Sequence, residues 1–81
     1  MQHTTDACVV SQGEELLTGL TLDTNAQFLC ARLTELGLRV RGVLTAGDDE
    51  IAIAQTLQAA AVRAAVVICT GGLGPTGDDL T

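Results

Sequence analysis

Two short apolar runs limit what this chain can fold into: "ACVVS" at Ala7–Ser11 and "AAVVIC" at Ala64–Cys69. Each is continuous rather than alternating and rich in Val. That is the signature of strands covered on both faces, as in a parallel sheet with helices above and below. Between them, "LRVRGVL", Leu38–Leu44, begins by alternating apolar residues with Arg39 and Arg41. One face of this strand is therefore half exposed, and the strand belongs near a sheet edge.

The intervening segments carry helical periodicity. From Thr24 to Leu36, the apolar residues Ala26, Leu29, Cys30, Leu33 and Leu36 recur at spacings of three and four, the stripe of a helix facing a core. Asp23 or Thr24 can cap its start, with Gln27 placed after Thr24 as in a capping box, and Gly37 supplies a left-handed end. A second helix is predicted from about Asp49 to Arg63, with Ile51, Ala54, Leu57, Ala61 and Val62 as its apolar stripe and Asp48 or Asp49 at its start. Strand, helix, strand, helix, strand with right-handed crossovers gives a parallel α/β sheet wound outward from its first strand. With the half-exposed strand at the edge, the order is two, one, three. The switch point then falls between the first and third strands, so "SQGEELLTG" and "TGGLGPTGDD" open side by side at the carboxyl edge, where open α/β sheets bind ligands.

Composition narrows the partners. The 81 residues make at most one small domain, 47% hydrophobic, with one Phe, no Tyr and no Trp, so the aromatic platform of single-strand nucleic-acid binders is missing. Ten acids against four arginines and no lysine give a net charge of −6, which repels nucleic acid and anionic membrane alike. "MQHTTDACVV" has neither a basic lead nor a long apolar run, so a cytoplasmic location is expected. Cys8, Cys30 and Cys69 are odd in number, widely spaced and set in apolar patterns, as three reduced core thiols would be. His3, with no second His or Cys nearby, reads as a solvated residue.

The closing stretch "TGGLGPTGDDLT", Thr70–Thr81, holds more glycine than a reversal of direction needs. Gly71, Gly72 and Gly74 can turn successive N–H groups inward as an anion nest, with Thr70 and Thr76 adding hydroxyl donors. Asp78 and Asp79 can hold a divalent cation that bridges to phosphate, or Asp79 can pair with Thr76 in a capping box. Asp48, Asp49 and Glu50 read first as caps of the second helix. Glu14, beside Gly13 just past the first strand, can bind metal or a ribose hydroxyl. Asp23 and Asn25 suit a cap and an exposed polar side chain at least as well as ligand contact. An anionic ligand among so many carboxylates requires an intervening cation or dominant nest amides. With no Ser/His/Asp or Cys/His set, water is the expected nucleophile.

The motifs G-x-E-L-L-x-G, D-x-N, G-D and T-G-G-L-G-P-T-x-D-D-x-T occur together and in order in "GEELLTGLTLDTNAQFLCARLTELGLRVRGVLTAGDDEIAI" and "VVICTGGLGPTGDDLT". In these the chain, from Cys8 to Thr81, resembles the N-terminal domain of the CinA family, the competence/damage-inducible proteins, a domain related to molybdopterin-binding proteins. The resemblance implies a three-layer α/β molybdopterin-binding fold. Residues 1–81 would be the N-terminal portion of one such domain, incomplete and inactive alone. It also implies metal-assisted hydrolysis of ADP-ribose to AMP and ribose 5-phosphate, with an unidentified divalent metal ion and no organic cofactor. The glycine loop and Gly13 would lie on the ligand, and Glu15, Asp48 and Asp79 would serve as metal or water ligands, with Asp48 and Asp79 catalytic. Glu15, which matches the glutamate of E-L-L, is the stronger candidate of the two glutamates. Asp78 stands where the related adenylyltransferases carry Arg, which favours the pyrophosphatase over a molybdopterin or adenylyl-transfer domain. A noncatalytic nucleotide-binding or assembly module is the third reading. Uncovered sheet surface makes a homo-oligomer the expected state.

Overall fold

The computed structural model describes residues 4–19 and 22–70. Its centre is β1, Asp6–Gln12, flanked in parallel by β2, Arg39–Ala46, and β3, Val66–Thr70, in the order β2-β1-β3. The strand order read from the sequence is the one observed. Ala7 through Ser11 are all buried, whereas β2 alternates exposed with half-buried residues, as its arginines require of an edge. The β1–β2 register shifts between Ala7, opposite Val40, and Cys8, opposite Gly42. Arg41 is thus the extra residue of a bulge. Arg39 fixes the amino end of this pair through its ion pair with Asp6 at 3.0 Å.

Helices cover both faces. On one, Ala7 and Val9 pack with Ala26 and Leu33 of α2, Thr24–Glu35. On the other, Cys8 and Val10 pack with Ala60 and Ala64, the last helical turn and C-cap of α3, Glu50–Arg63. Asp23 is the N-cap of α2, its side chain accepting from the Ala26 N–H at 3.1 Å. Of the two caps the sequence offers, Asp23 and Thr24, the structure uses Asp23, and Thr24 is the first helical residue.

The end of α2 corrects one expectation. Leu36, predicted in the core stripe, is the C-cap and is exposed. The chain turns there in a Schellman motif: the Gly37 N–H bonds to the Thr34 carbonyl and the Leu38 N–H to the Leu33 carbonyl, each at 3.0 Å. Leu38, beyond the turn, takes the core position against Leu33.

The stripe predicted for α3 is a second correction. Ile51, Ala54, Ala61 and Val62 face outward, and the inward face is Leu57, Ala60 and Ala64. Because the helix is apolar nearly all round, periodicity admits more than one phase. The β1 surface, where Ala60 is fully buried against Cys8 and Val10 with Leu57 packed beside it, selects among them. The cysteines give a third. Cys8 is buried and Cys30 half-buried, but Cys69 is exposed, because it lies on the β3 edge past Val67, the last β3 residue packed on that face.

Candidate functional site

Three segments meet the carboxyl edge of the sheet. β1 leads into α1, Glu14–Leu17, a single helical turn that the sequence pattern did not reveal. Its Leu16 and Leu17 N–H groups bond to the Gly13 carbonyl at 3.1 and 3.4 Å, and the Thr18 hydroxyl closes it on the Glu14 and Glu15 carbonyls. Four residues are too few to show a 3.6-residue period, and two acids in the first turn are the only signal available.

β2 leads into Gly47, Asp48 and Asp49. The Gly13 N–H bonds to the Ala46 carbonyl at 2.9 Å, holding the two exits together where the strands end. Glu14 then spans them. Its Oε2 accepts from the Asp48 N–H at 3.4 Å, at the long end of hydrogen bonding. The same carboxylate lies so close to the Cα of Gly47 that any Cβ there would collide with it, and that Cβ would also stand 3.2 Å from the Leu17 Cδ1. Glycine at position 47 thus lets the Glu14 carboxylate lie against the second loop; a larger residue would have to push that flexible side chain aside.

The capping question at α3 is answered here. Asp49 is the N-cap, accepting from the Ala52 N–H at 3.2 Å, and Glu50 opens the first turn. Asp48 is spared that task and remains exposed beside the Glu14 carboxylate. At α2, Asp23 is occupied as a cap and Asn25 is exposed.

Of the two glutamates, Glu14 is the one that reaches the second loop. The Glu15 carboxylate folds back over Gly13, within 3.1 Å of where a Cβ would stand. The sequence signal for Glu14 was only its adjacency to Gly13; its reach to Asp48 comes from the α1 turn. β3 ends at Thr70, half-buried and in register with Ser11 of β1. The expected sites at Gly71, Gly72, Gly74, Thr76, Asp78 and Asp79 lie outside the described residues.

Exposed carboxylates of Glu14, Glu15 and Asp48 at one sheet edge offer hard oxygen donors, which suit a divalent cation such as magnesium or manganese. Among the described residues, however, no three His, Cys, Asp or Glu side chains are grouped so as to hold a metal ion. Also among the described residues, no helix is long and apolar enough to cross a membrane.

The family model described as "Probable molybdopterin binding domain" matches residues 8–81. A CinA-like protein of Thermotoga maritima is 51% identical over 75 residues, 93% of this chain and 18% of that protein. A CinA-like protein of Myxococcus xanthus is 54% identical over 69 residues, 85% of this chain and 16% of the relative. A putative competence-damage inducible protein of Streptococcus pneumoniae is 47% identical over 73 residues, covering 90% and 18%. The chain thus spans about 18% of the length of these curated relatives. Among solved structures, the protein CinA of Thermoplasma acidophilum, of unknown function, superposes with a TM-score of 0.85 at 38% identity, over 96% of this chain and 46% of that one.

Proposed function

This chain belongs to the family of probable molybdopterin-binding domains, and from that premise we propose that it forms part of a CinA-type nucleotide-sugar pyrophosphatase, hydrolysing ADP-ribose in the cytoplasm. One observation carries the reading: Glu14 ties the loop after β1 to the backbone of Asp48 after β2, leaving the Asp48 carboxylate exposed at the carboxyl edge. That edge is where a wound α/β sheet receives its ligand, and Thr70 ends β3 there, next to the glycine-rich run.

In this reaction water attacks one phosphorus of the diphosphate, and the bridging oxygen leaves with the other, giving AMP and ribose 5-phosphate. Asp48, with Glu15 and Asp79, would hold a divalent cation that lowers the pKa of the attacking water and neutralises developing charge. Glu14 orients the Asp48 loop, and Asp48 takes up the proton that the water loses. Thr70 and the amides of Gly71, Gly72 and Gly74, with Thr76, would hold phosphate oxygens by uncharged donors. Gly13 and Asp78 would border the ligand.

The family description, which names molybdopterin binding, leaves room for a second reading, a domain that binds molybdopterin or transfers an adenylyl group to it. Asp78, where adenylyltransferases carry Arg, weighs against it. The test is product analysis with the full-length protein of which this chain forms part, in magnesium or manganese. Release of AMP and ribose 5-phosphate from ADP-ribose, reduced about 100-fold or more in Asp48→Asn, is the expected result. Adenylylation of molybdopterin without ADP-ribose cleavage would replace it with the second reading.

A further inference from the structure

Ser11 is the only fully buried polar side chain among the described residues, at 0% exposure. Its Oγ has no hydrogen-bond partner there. It lies on the face of β1 that carries Ala7 and Val9, one residue before the strand's end, with Thr45 of β2 and Thr70 of β3 opposite it in register. A row of three hydroxyl side chains therefore crosses the sheet at its carboxyl edge. An unpaired buried hydroxyl costs stability that a methyl group in its place would restore. This chain uses alanine freely at buried positions, at Ala7, Ala26, Ala46, Ala60 and Ala64. A buried serine at the ligand edge with no partner among the described residues points to a ligand, because local rules of this kind are broken chiefly at functional sites.

The distribution of charge narrows the ligand's chemistry. Arg39 and Arg41 open β2 at the amino end of the sheet, Arg32 is in the last turn of α2 paired with Glu35, and Arg63 ends α3 against Gly42. With no lysine in the chain, all four side-chain cations sit away from the carboxyl edge, so an anion bound there must be held by hydroxyls, amides and a cation from solution.

We propose that the Ser11 hydroxyl is a further ligand-binding group of this site, donating, directly or through one bound water, to a phosphate oxygen of the diphosphate. This deepens the pyrophosphatase reading and rests on it.

The test uses the full-length protein of which this chain forms part as wild type, Ser11→Ala and Ser11→Thr, with inorganic pyrophosphate and ADP-ribose as calorimetric probes in the presence of magnesium. Ser11→Ala is expected to raise the thermal midpoint of the ligand-free protein while weakening both probes about tenfold. Ser11→Thr, which keeps the hydroxyl, is expected to hold most of the wild-type affinity. Unchanged affinity in Ser11→Ala overturns the proposal, whichever way the midpoint moves. Serine-dependent pyrophosphate binding with no AMP released from ADP-ribose overturns the hydrolase reading and leaves Ser11 in place. AMP release with affinity indifferent to Ser11 does the reverse, and a wild type that binds neither probe overturns both.

Discussion

Gly37 stands at φ +93 with nothing within 4 Å of where its Cβ would be, so alanine at this position tests backbone conformation alone. Gly37→Ala should cost about 1 kcal/mol of stability in a urea titration, the penalty of a left-handed L residue, and leave ADP-ribose turnover unchanged. Gly47→Ala should behave in the opposite way. Its added Cβ meets the tip of a flexible side chain, the Glu14 carboxylate, which can swing away at little cost to the fold but only by releasing the Asp48 N–H. A stability change within about 0.5 kcal/mol, with turnover down about tenfold, is expected from paired denaturation and product assays. Equal loss of turnover in both glycine variants would show that the Glu14 contact does not set the geometry of Asp48. Neither Gly47 nor Ser11 is conspicuous in the sequence: one depends on a carboxylate folding across from another loop, the other on a hydroxyl falling inward on a strand that already reads as buried.

At the scale of elements, adjacent acids at the start of α3 have separate tasks. Asp49 accepts from the Ala52 N–H, and Asp48 makes no capping bond. Asp49→Ala should therefore lower stability by about 1 kcal/mol, while Asp48→Ala should leave the urea midpoint close to wild type and abolish turnover. The sequence admitted either acid as the cap; only the backbone geometry, with Asp49 extended and Glu50 the first helical residue, separates them. The strands and both long helices were legible because burial on two faces and a spacing of three and four each leave a period in the residues. The inward face of α3 was not, since alanine and valine on every side carry no phase. Substitution can read that phase. Ala60→Leu should cost about 1–3 kcal/mol by overpacking against Cys8 and Val10, whereas Val62→Lys, at a position 88% exposed, should lie within about 0.5 kcal/mol of wild type. Had the predicted stripe been the buried one, these two effects would exchange places.

For the whole molecule, the fully buried residues among those described are mostly small; Leu29, Leu38, Leu57 and Ile68 are only partly buried against them, and several other large apolar side chains are turned outward. Leu33 is the largest buried hydrophobic among the described residues, while Leu22, Phe28 and Val62 are 83%, 63% and 88% exposed. Only β1 is paired on both sides, so β2 and β3 each present an outer edge that pairs with no described strand. Unpaired edges and outward apolar groups both favour contact between chains, and a core this thin supplies little stability of its own. The net charge of −6 opposes association at low salt and is screened as salt rises. The 81-residue chain studied by itself should therefore self-associate. Its sedimentation coefficient should rise with protein concentration and more steeply in high salt, and its urea midpoint should depend on concentration, because association stabilises the folded form. Phe28→Glu combined with Val62→Lys should move the distribution toward monomer without lowering the midpoint at high dilution, since neither side chain belongs to either core cluster. A monomer whose sedimentation and urea midpoint are both indifferent to concentration would mean that the outward apolar groups and free strand edges do not drive contact between chains, and the homo-oligomer expected from the sequence would go with them.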